Sequence, residues 1–596
     1  MVELSGLDPK AQVIALIAEH TSIDKESIVI ETPDSKIADY AFPCFLVSKK
    51  KGGNPAQIAK DLVEKISKDI RVEQAGNKHA LIKEVKQAGP YVNFFMDSPA
   101  LAKLILSRVY QEADSYGRSN IKEKVMIEYL SPNTNKPLHL GHIRNLAIGN
   151  SLSRTYRFLV GTAGKVTEAN LVNDRGIHIC KSMIAYKKWG HGITPESSSK
   201  KSDHLVGDFY VLYSNKVKEH PELEQEAHAL LKKWEENDPE VITLWKMMNH
   251  WVYEGFEKTL FELGIKFDIV YFESQLYKNG RNIVEDGLKK GIFKKDDTGA
   301  VIAELSKEDK SIPDKVLIRS DGTTIYITQD IYLAVEKFKE YSLDKNLYVV
   351  GSEQILHFRQ LFKILEILGY SWARKCTHVS YGMVNLPDGR MKSREGTVVD
   401  ADDIIAELKT MAREEIIKRH PDLDEKEIEA RAKIISVGAL KFHMLLFDPV
   451  RDIVYDPEES ISFEGETGPY VQYGHARCFS ILEKYQEKFG ERPKFNPYTT
   501  KFDLLTDEKE ALVVKQLAKF PDIILDAAEH FRPSSIAKYL VETTQRFNEF
   551  YQKCIVISDD PNNRELTEAR IMLVECVRIV LRKGLELLGI TAPEKM

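Results

Sequence analysis

Residues 128 to 142 read Glu128-Tyr129-Leu130-Ser131-Pro132-Asn133-Thr134-Asn135-Lys136-Pro137-Leu138-His139-Leu140-Gly141-His142. The apolar run Val125 to Leu130 has the character of a buried strand. A Ser/Pro/Asn turn cluster follows, and a segment of helical character opens at Pro137. His139 and His142, three apart, then project from one face of the first helical turn. A helix N-terminus carries unpaired N–H groups and the positive end of the dipole, which suits it to a phosphate chain. Gly141 has no side chain, so a flat base or a ribose can lie on the backbone there. The stretch reads as a nucleotide site. Taken alone, the two histidines could equally be helix caps or surface residues. A metal pair completed by His178 or Cys180 is disfavoured, because the spacing lacks the catalytic Glu of the zinc-helix motif.

Outward from this stretch the chain divides into three regions. Residues 1–118 mix helix and strand. A helix is expected around Gln12 to Ala18, strand-like runs at Ser27 to Glu31 and Phe45 to Ser48, a helix from Pro55 to Ile70, a strand Tyr91 to Met96 and a helix through Leu101 to Tyr110. Residues 119–452 alternate buried strands with helices: Val125 to Leu130, Lys165 to Asn173, Ile325 to Thr328, Leu347 to Gly351 and His378 to Tyr381. That alternation implies a parallel sheet in a layered α/β domain. The charged, largely helical stretch at about 187–310 reads as an insertion between two halves of the sheet, with strand-like pieces near Asp268 to Glu273 and Val301 to Glu304. Residues 453–596 carry apolar residues at helical spacing and should form an all-α bundle. The expected fold class is multidomain α/β, with an amino-terminal α+β domain and a carboxy-terminal helical bundle.

At 596 residues the chain exceeds what one core supports. Its 43% hydrophobic and 29% charged residues and net charge of −6 are those of an ordinary globular protein. A polyanionic partner must be met by local patches, since attraction is screened within roughly 8 Å at physiological salt. No apolar run is long enough to span a bilayer and no secretory signal is visible. Six cysteines without a Cys-x-x-Cys pair argue against a disulfide framework and against a thiolate zinc site. A cytoplasmic enzyme without a tightly bound metal is expected.

A second signal is Gly389-Arg390-Met391-Lys392-Ser393-Arg394-Glu395-Gly396-Thr397, placed just after the last expected strand. Such a basic loop could close over a triphosphate and neutralise charge on departing pyrophosphate. By itself it would pass for a solvated surface loop.

Together the two segments resemble class I aminoacyl-tRNA synthetases, whose His-x-Gly-His and Lys-Met-Ser-Lys-Ser signatures they match. The wording is closer still to the arginyl-tRNA synthetase family. Its Glu-x-x-Ser-Pro-Asn-x-x-Lys-Pro-x-His-x-Gly-His opening is complete from Glu128 to His142, and Tyr326, Thr328 and Asp330 fit its Tyr-x-Thr-x-Asp motif. Gly351 to Gln354 with His357 and Phe358, Gly468 to Tyr473 followed by His475-Ala476-Arg477, and the ending Leu588 to Met596 match further family segments.

The resemblance implies a Rossmann-like catalytic domain that activates L-arginine with ATP and Mg²⁺ and transfers it to the 3′ end of tRNA(Arg). No nucleophilic side chain is needed for that chemistry, only positioning and charge stabilisation. His139 and His142 are implied to contact phosphates, Gly141 to pack on the adenosine, and Met383 and Val384 to hold adenine through the backbone. A guanidinium is a planar fork of donors, so a carboxylate and an aromatic suit it. Asp330 and Tyr326 could supply them, or could be a helix-start cap beside a core aromatic. Glu128 is a second carboxylate for the substrate's cationic groups, and Asn133 and Gln354 are candidates for the α-amino end. The basic loop has Ser393 where the general signature has its second Lys. Arginyl enzymes commonly lack that Lys and carry one ahead of His-x-Gly-His, so Lys136 and Lys392 are expected to share phosphate neutralisation, with Ser393 beside them. Asn173 to His178 departs from the family's usual Gly-Asp-Trp-Gly-type segment and receives no role.

By the same resemblance the amino-terminal domain meets the tRNA elbow, with Tyr91 to stack and Asn93 to read a base edge; a core aromatic and a strand-end amide are the alternative. The helical domain should read the anticodon, with Tyr470, Tyr473, His475 and Arg477 as candidates at its start. The mid-chain insertion shows no editing signature and reads as acceptor-stem support. The family is usually monomeric and needs tRNA before arginine activation is efficient. Two rivals are a small-molecule nucleotidyltransferase, which would not need the large helical domain, and a synthetase-like binding protein that has lost catalysis, against which Glu128, Asn133, His139, His142, Tyr326 and Asp330 stand intact.

Overall fold

In a computed structural model the chain is described at residues 8–33, 37–74, 81–162, 164–387, 399–491, 493 and 495–596. The amino-terminal region opens with the helix Pro9–Thr21. Asp8 caps it by accepting the N–H groups of Lys10 and Ala11, which satisfies two of the unpaired donors of its first turn. Val13, Leu16 and Ile17 form its buried stripe. Strands β1 (Tyr40–Pro43), β2 (Ile82–Ala88) and β3 (Tyr91–Met96) make an antiparallel sheet in the order β1-β3-β2. The helix Pro55–Gln74 packs on it through Ala59, Leu62, Ile66 and Ile70.

Two expected strands in this region do not form. Of Ser27 to Glu31 only Glu31 pairs, in a single bridge to Ala41. Phe45 to Ser48 begins the helix Phe45–Lys51. Pro43 cannot donate to a ladder and ends β1, and the helix that follows places Lys49, Lys50 and Lys51 at its negative end.

The middle region is built on a five-stranded parallel sheet, β4 (Lys124–Glu128), β5 (Lys165–Val172), β6 (Ile269–Phe272), β10 (Lys345–Gly351) and β11 (Cys376–Tyr381), in the order β11-β10-β4-β5-β6. Val125, Met126 and Ile127 are fully buried, as expected of a strand covered on both faces. From β4 the chain moves to β5 and β6 on one side and later returns to β10 and β11 on the other. The carboxyl ends of β4 and β10 therefore flank the point where strand order reverses, where ligands of open α/β sheets bind.

β6 lies inside the stretch expected to be an insertion, but pairs in parallel with β5 from Ala169 to Val172 and is the edge of the main sheet. What stands apart from the sheet are the helices Ser202–Glu219, Glu222–Glu235 and Pro239–Glu262 and a small antiparallel sheet of β7 (Lys294–Lys295), β8 (Val301–Ala303) and β9 (Lys315–Ile318). Ile325 to Thr328, expected as a strand, is the start of the helix Tyr326–Tyr341. A short apolar run does not separate strand from helix; the continuation Ile327, Ile331, Ala334, Phe338, all buried, does.

Among the described residues after β11 the regular structure is helical apart from β12 (Val384–Asn385) paired with β13 (Ile453–Val454). Helices Ala401–Arg419, Glu425–Leu446, Gly468–Phe489, Pro533–Lys553 and Arg564–Leu587 form the main bundle. Its core is continuous with that of the amino-terminal region and one sheet face, while the other face has its own cluster around Ile327, Ile331 and Leu361. Among the described residues no helix is long and apolar enough to cross a membrane.

Candidate active site

The turn after β4 holds two non-glycine residues at positive φ, Leu130 (79°) and Ser131 (46°), a conformation that persists only where surrounding contacts enforce it. Asn145 is the main clamp. Its Oδ1 accepts the Leu130 N–H, and its Nδ2 donates to the Val349 carbonyl at 2.8 Å and the Tyr381 hydroxyl at 3.1 Å. One side chain thus ties the turn to β10 and β11. The helix begins at Leu140 rather than Pro137, with His139 as its N-cap.

The His139 N–H donates to His142 Nδ1 at 3.1 Å, and the two rings lie 3.8 Å apart, centroid to centroid. An accepting Nδ1 leaves the proton of a neutral His142 on Nε2. Burial, then the neighbouring Lys136, pushes His139 down to about 3; burial, then His139 and Lys136, hold His142 well below the usual range. The pair is therefore two neutral imidazoles beside one ammonium. A Cβ on Gly141 would sit 3.1 Å from His139 Cε1, so the glycine keeps space for the imidazole as well as for a ligand. Burial lowers the Lys136 pKa, opposed by Asp400.

Lys392 and Ser393 lie outside the described residues. The chain that follows them pairs with the histidine segment: Leu140 N–H donates to Val399 O at 3.3 Å and Ala401 N–H to Leu138 O at 2.9 Å. Next along the chain, Asp402 accepts from Lys201 Nζ (2.7 Å), His204 Nε2 (2.8 Å) and Thr259 Oγ1 (2.9 Å). Asp203, His204 and Asp402 could together ligate a metal, but Lys201 Nζ, 3.0 Å from Asp203 as well, already supplies the cation there.

A cavity of about 430 Å³ opens at the carboxyl ends of β4 and β10, and Glu128, Asn133, Tyr326, Asp330 and Gln354 all line it. Asp330 Oδ2 lies 2.7 Å from His357 Nε2. Glu128 is less available than expected, because its Oε2 is ion-paired with the fully buried Lys337. Glu273, Arg175 and His357 share the cavity; the sequence placed His357 in a matched segment and Arg175 in an unassigned one without giving either a role in the site, and offered none for Glu273. Glu273 is 3% exposed. Burial pushes it up to about 7, with Arg175 opposing and Asp174 and Asp330 reinforcing. Its one sequence cue was position: it follows an edge strand at the binding end of the sheet.

The unassigned segment has a structural task. Asp174 accepts the Ser274 N–H (2.8 Å), the Ser274 hydroxyl (2.7 Å) and the Tyr253 hydroxyl (3.1 Å), so it fixes the residue next to Glu273. Arg175 stacks over Tyr277 at 3.9 Å and pairs with Glu235 at 2.7 Å.

Met383 does not offer its backbone to a base. Its N–H donates to Asp452 Oδ1 at 2.7 Å, and its carbonyl accepts from Ile453 N–H (2.9 Å) and Arg144 Nη1 (3.2 Å), using both lone pairs. Val384 is buried and pairs with Ile453.

The RNA-facing candidates divide. Tyr91 is partly exposed, edge-on to Phe45, whereas Asn93 is buried in the sheet, which leaves its amide little surface for a base edge. Tyr470, Tyr473 and Arg477 form a half-buried cluster. Arg477 donates to Asn548 Oδ1 (2.7 Å) and lies over the Tyr473 ring (4.7 Å), while Asn548 donates to the Tyr470 hydroxyl (3.0 Å). His475 does not join them. It is 1% exposed and donates from Nδ1 to the Pro593 carbonyl at 2.8 Å, tying down the carboxy-terminal tail.

A parallel sheet with a His-x-Gly-His helix start at its strand-order reversal, followed by a helical bundle, defines a class I aminoacyl-tRNA synthetase. Residues 105–456 match the family described as tRNA synthetases class I (R), catalytic domain, residues 471–596 the DALR anticodon binding domain, and residues 10–96 the arginyl tRNA synthetase N terminal domain. The chain belongs to the arginyl-tRNA synthetase family. It is 42% identical to the arginine–tRNA ligase of Treponema pallidum subsp. pallidum over 574 residues, covering 96% of this chain and 95% of that one. It is 41% identical to the arginine–tRNA ligase of Parabacteroides distasonis over 578 residues, 93% of this chain and 92% of that one. In fold it resembles the arginyl-tRNA synthetase of Thermus thermophilus (TM-score 0.77, 24% identity, 100% of both chains) and that of Plasmodium falciparum (TM-score 0.76, 20% identity, 99% of both chains). Membership of a class I ligase family carries with it the use of ATP.

Proposed function

We propose that this protein ligates L-arginine to tRNA(Arg) in two steps. The arginine carboxylate attacks the α-phosphate of ATP and expels pyrophosphate; the arginyl group of the adenylate then passes to the 3′-terminal ribose of tRNA, releasing AMP. The observation that supports this reading best is the convergence of Asn133, Tyr326, Asp330 and Gln354 on one cavity with the buried carboxylate of Glu273. Of the three carboxyl side chains lining the cavity, Asp330 and Glu273 with the aromatic Tyr326 suit a guanidinium. Asp330 and Glu273 take that end, while Asn133, Gln354 and the remaining oxygen of Glu128 take the α-amino end.

Next to it, neutral His139 and His142 donate hydrogen bonds to phosphate oxygens, and Lys136 supplies the positive charge that the pyrophosphate needs as it leaves. Neutral donors bind phosphate in both ground and transition states, so the charge that develops falls to the lysines, Lys136 and Lys392. Mg²⁺ arrives with the nucleotide as part of the substrate. Val384 keeps the adenine, and Tyr91, Tyr470, Tyr473 and Arg477 meet RNA. The protein works as a monomer in the cytoplasm. ATP–pyrophosphate exchange, run with each amino acid with and without tRNA, tests the reading. Exchange confined to arginine and dependent on tRNA supports it, and exchange that ignores amino acids in favour of another nucleophile sinks it.

A further inference from the structure

A second cavity, of about 380 Å³, lies at the far end of the helix Leu140–Val160. Arg154, which lines it, is twelve residues beyond His142, roughly 18 Å along the axis at about 1.5 Å per residue, so this is not the nucleotide site. Five separate parts of the chain build it: Arg118 ahead of β4; Asn150, Arg154, Arg157 and Phe158 of the helix; Glu168 of β5; Lys266 ahead of β6; and Lys583 and Glu586 of the last helix.

Its charge is unbalanced. Five cationic side chains line it (Arg118, Arg154, Arg157, Lys266, Lys583) against two carboxylates, Glu168 and Glu586, in a chain whose net charge is −6. Arg157 is satisfied by Asp268 at 2.6 Å and Glu168 at 3.5 Å, and Lys583 by Glu586 at 2.6 Å. Among the described residues Arg154 donates hydrogen bonds only to neutral acceptors, Asn150 Oδ1 at 3.1 Å and the Glu586 carbonyl at 3.5 Å, and makes no close ion pair with Glu168. Among the described residues Arg118 and Lys266 pair with no carboxylate; Arg118 lies over the Phe158 ring at 5.5 Å. Behind the wall is Lys441, 2% exposed, whose only hydrogen-bond partner among the described residues is the Gly589 carbonyl at 2.7 Å. Burial and the nearby Arg154 push its pKa down to about 7. A Cβ placed on Gly589 would lie 2.4 Å from Asn150 Oδ1, 3.3 Å from Lys441 Nζ and 3.4 Å from Arg154 Nε, so these groups converge at one point.

Guanidinium and ammonium groups held in a concave site in excess over its internal counter-charge form charge-assisted hydrogen bonds with phosphate oxygens, and a cavity focuses their field on an incoming anion. We propose that this cavity binds a small polyphosphate anion, held by Arg118, Arg154 and Lys266. Its occupant joins the helix that carries His139 and His142 to the last helix of the bundle.

The test is calorimetric titration of the full-length protein with tripolyphosphate at physiological ionic strength, comparing wild type with Arg118→Glu/Lys266→Glu. Both residues are exposed and stand outside the catalytic machinery, so aminoacylation at saturating substrates stays within twofold. Two bound equivalents in the wild type and one in the variant, or at least a tenfold weakening of one class of site, is the expected result. Identical titrations overturn the proposal. So does a variant that loses tRNA affinity, with a shallower salt dependence, while its tripolyphosphate binding is unchanged; the cavity would then take an RNA phosphate.

Discussion

Asp330 and His357 approach to 2.7 Å on the wall of the larger cavity, Oδ2 against Nε2. The contact links the helix Tyr326–Tyr341 to the helix Ile355–Ile367 that follows β10. Replacing Asp330 by Ala removes one of the two carboxylates proposed to take the guanidinium. A hydrogen bond between charged groups contributes about 1.5–3 kcal/mol. The arginine KM should therefore rise at least tenfold while the ATP KM changes by less than threefold. Steady-state kinetics in both substrates decide it, and an equal rise in both constants would assign Asp330 a structural role.

Glu273 gives arginine binding a pH dependence. Its pKa is raised to about 7, so the ligand-free protein holds a proton there below that pH. Only the ionised form suits a guanidinium, and arginine must displace the proton. The arginine KM should rise about tenfold per unit as pH falls below about 7, and Glu273→Gln should flatten the slope while raising the KM. The linkage runs the opposite way for folding. A carboxyl raised above its unfolded value of 4.5 stabilises the fold at low pH and loses that contribution as pH rises through about 7. A wild-type KM that ignores pH between 6 and 8 would remove Glu273 from the site.

Asp174 acts on the same carboxylate from outside the cavity. It holds Ser274 by a backbone and a hydroxyl hydrogen bond. Asp174→Ala leaves the half-buried Ser274 N–H without its acceptor, which costs about 1 kcal/mol and frees the Glu273 backbone. The expected split is an arginine KM raised roughly tenfold or more and an ATP KM nearly unchanged. Uniform loss of activity in proportion to unfolded protein would argue for a purely structural residue.

Lys337→Met strands Glu128 without its buried partner. Breaking such a pair costs about 3–5 kcal/mol, whereas removing both charges is often neutral. Chemical denaturation should show a large loss for Lys337→Met and recovery in Lys337→Met/Glu128→Gln. The double variant should still bind arginine poorly, since its α-amino partner is gone. Failure of the second change to restore stability would mean that Lys337 matters through packing alone.

His475 should prove a tail anchor rather than an RNA contact. His475→Ala leaves the Pro593 carbonyl without its donor and lowers the unfolding midpoint, while tRNA affinity measured on the folded fraction stays within twofold. Arg477→Ala, by contrast, should weaken tRNA at least tenfold and reduce its salt dependence. Equal effects of the two on tRNA binding would return His475 to the interface.

Much of the fold could be read from local pattern. Tyr91 to Met96 forms as expected because its aromatic and β-branched residues suit a central antiparallel strand, and β4, β5, β10 and β11 appear where apolar runs end at turn residues. The misreadings share one cause. Phe45 to Ser48 and Ile325 to Thr328 are short β-branched or aromatic runs, whose preference is settled by what they pack against. The site was legible where residues crowd into one motif: Asn133, Lys136, His139 and His142 lie within ten positions.

The sequence by itself determined the class of site, because a strand, a turn and a helix start fix the direction of phosphate-binding donors within one short stretch. It also determined which residue types gather around a guanidinium. Only the tertiary structure decided which of them are free to act. Met383 has its amide and carbonyl consumed by Asp452, Ile453 and Arg144, residues from 69 to 239 positions away. Glu128 is claimed by Lys337 from a helix 209 positions on, and Glu273 reaches the cavity because β6 returns to the sheet edge. Hydrogen-bonding capacity is finite and burial is a property of the whole chain. A motif can name the donors and acceptors of a site, but only the folded contacts show which of them remain unspent.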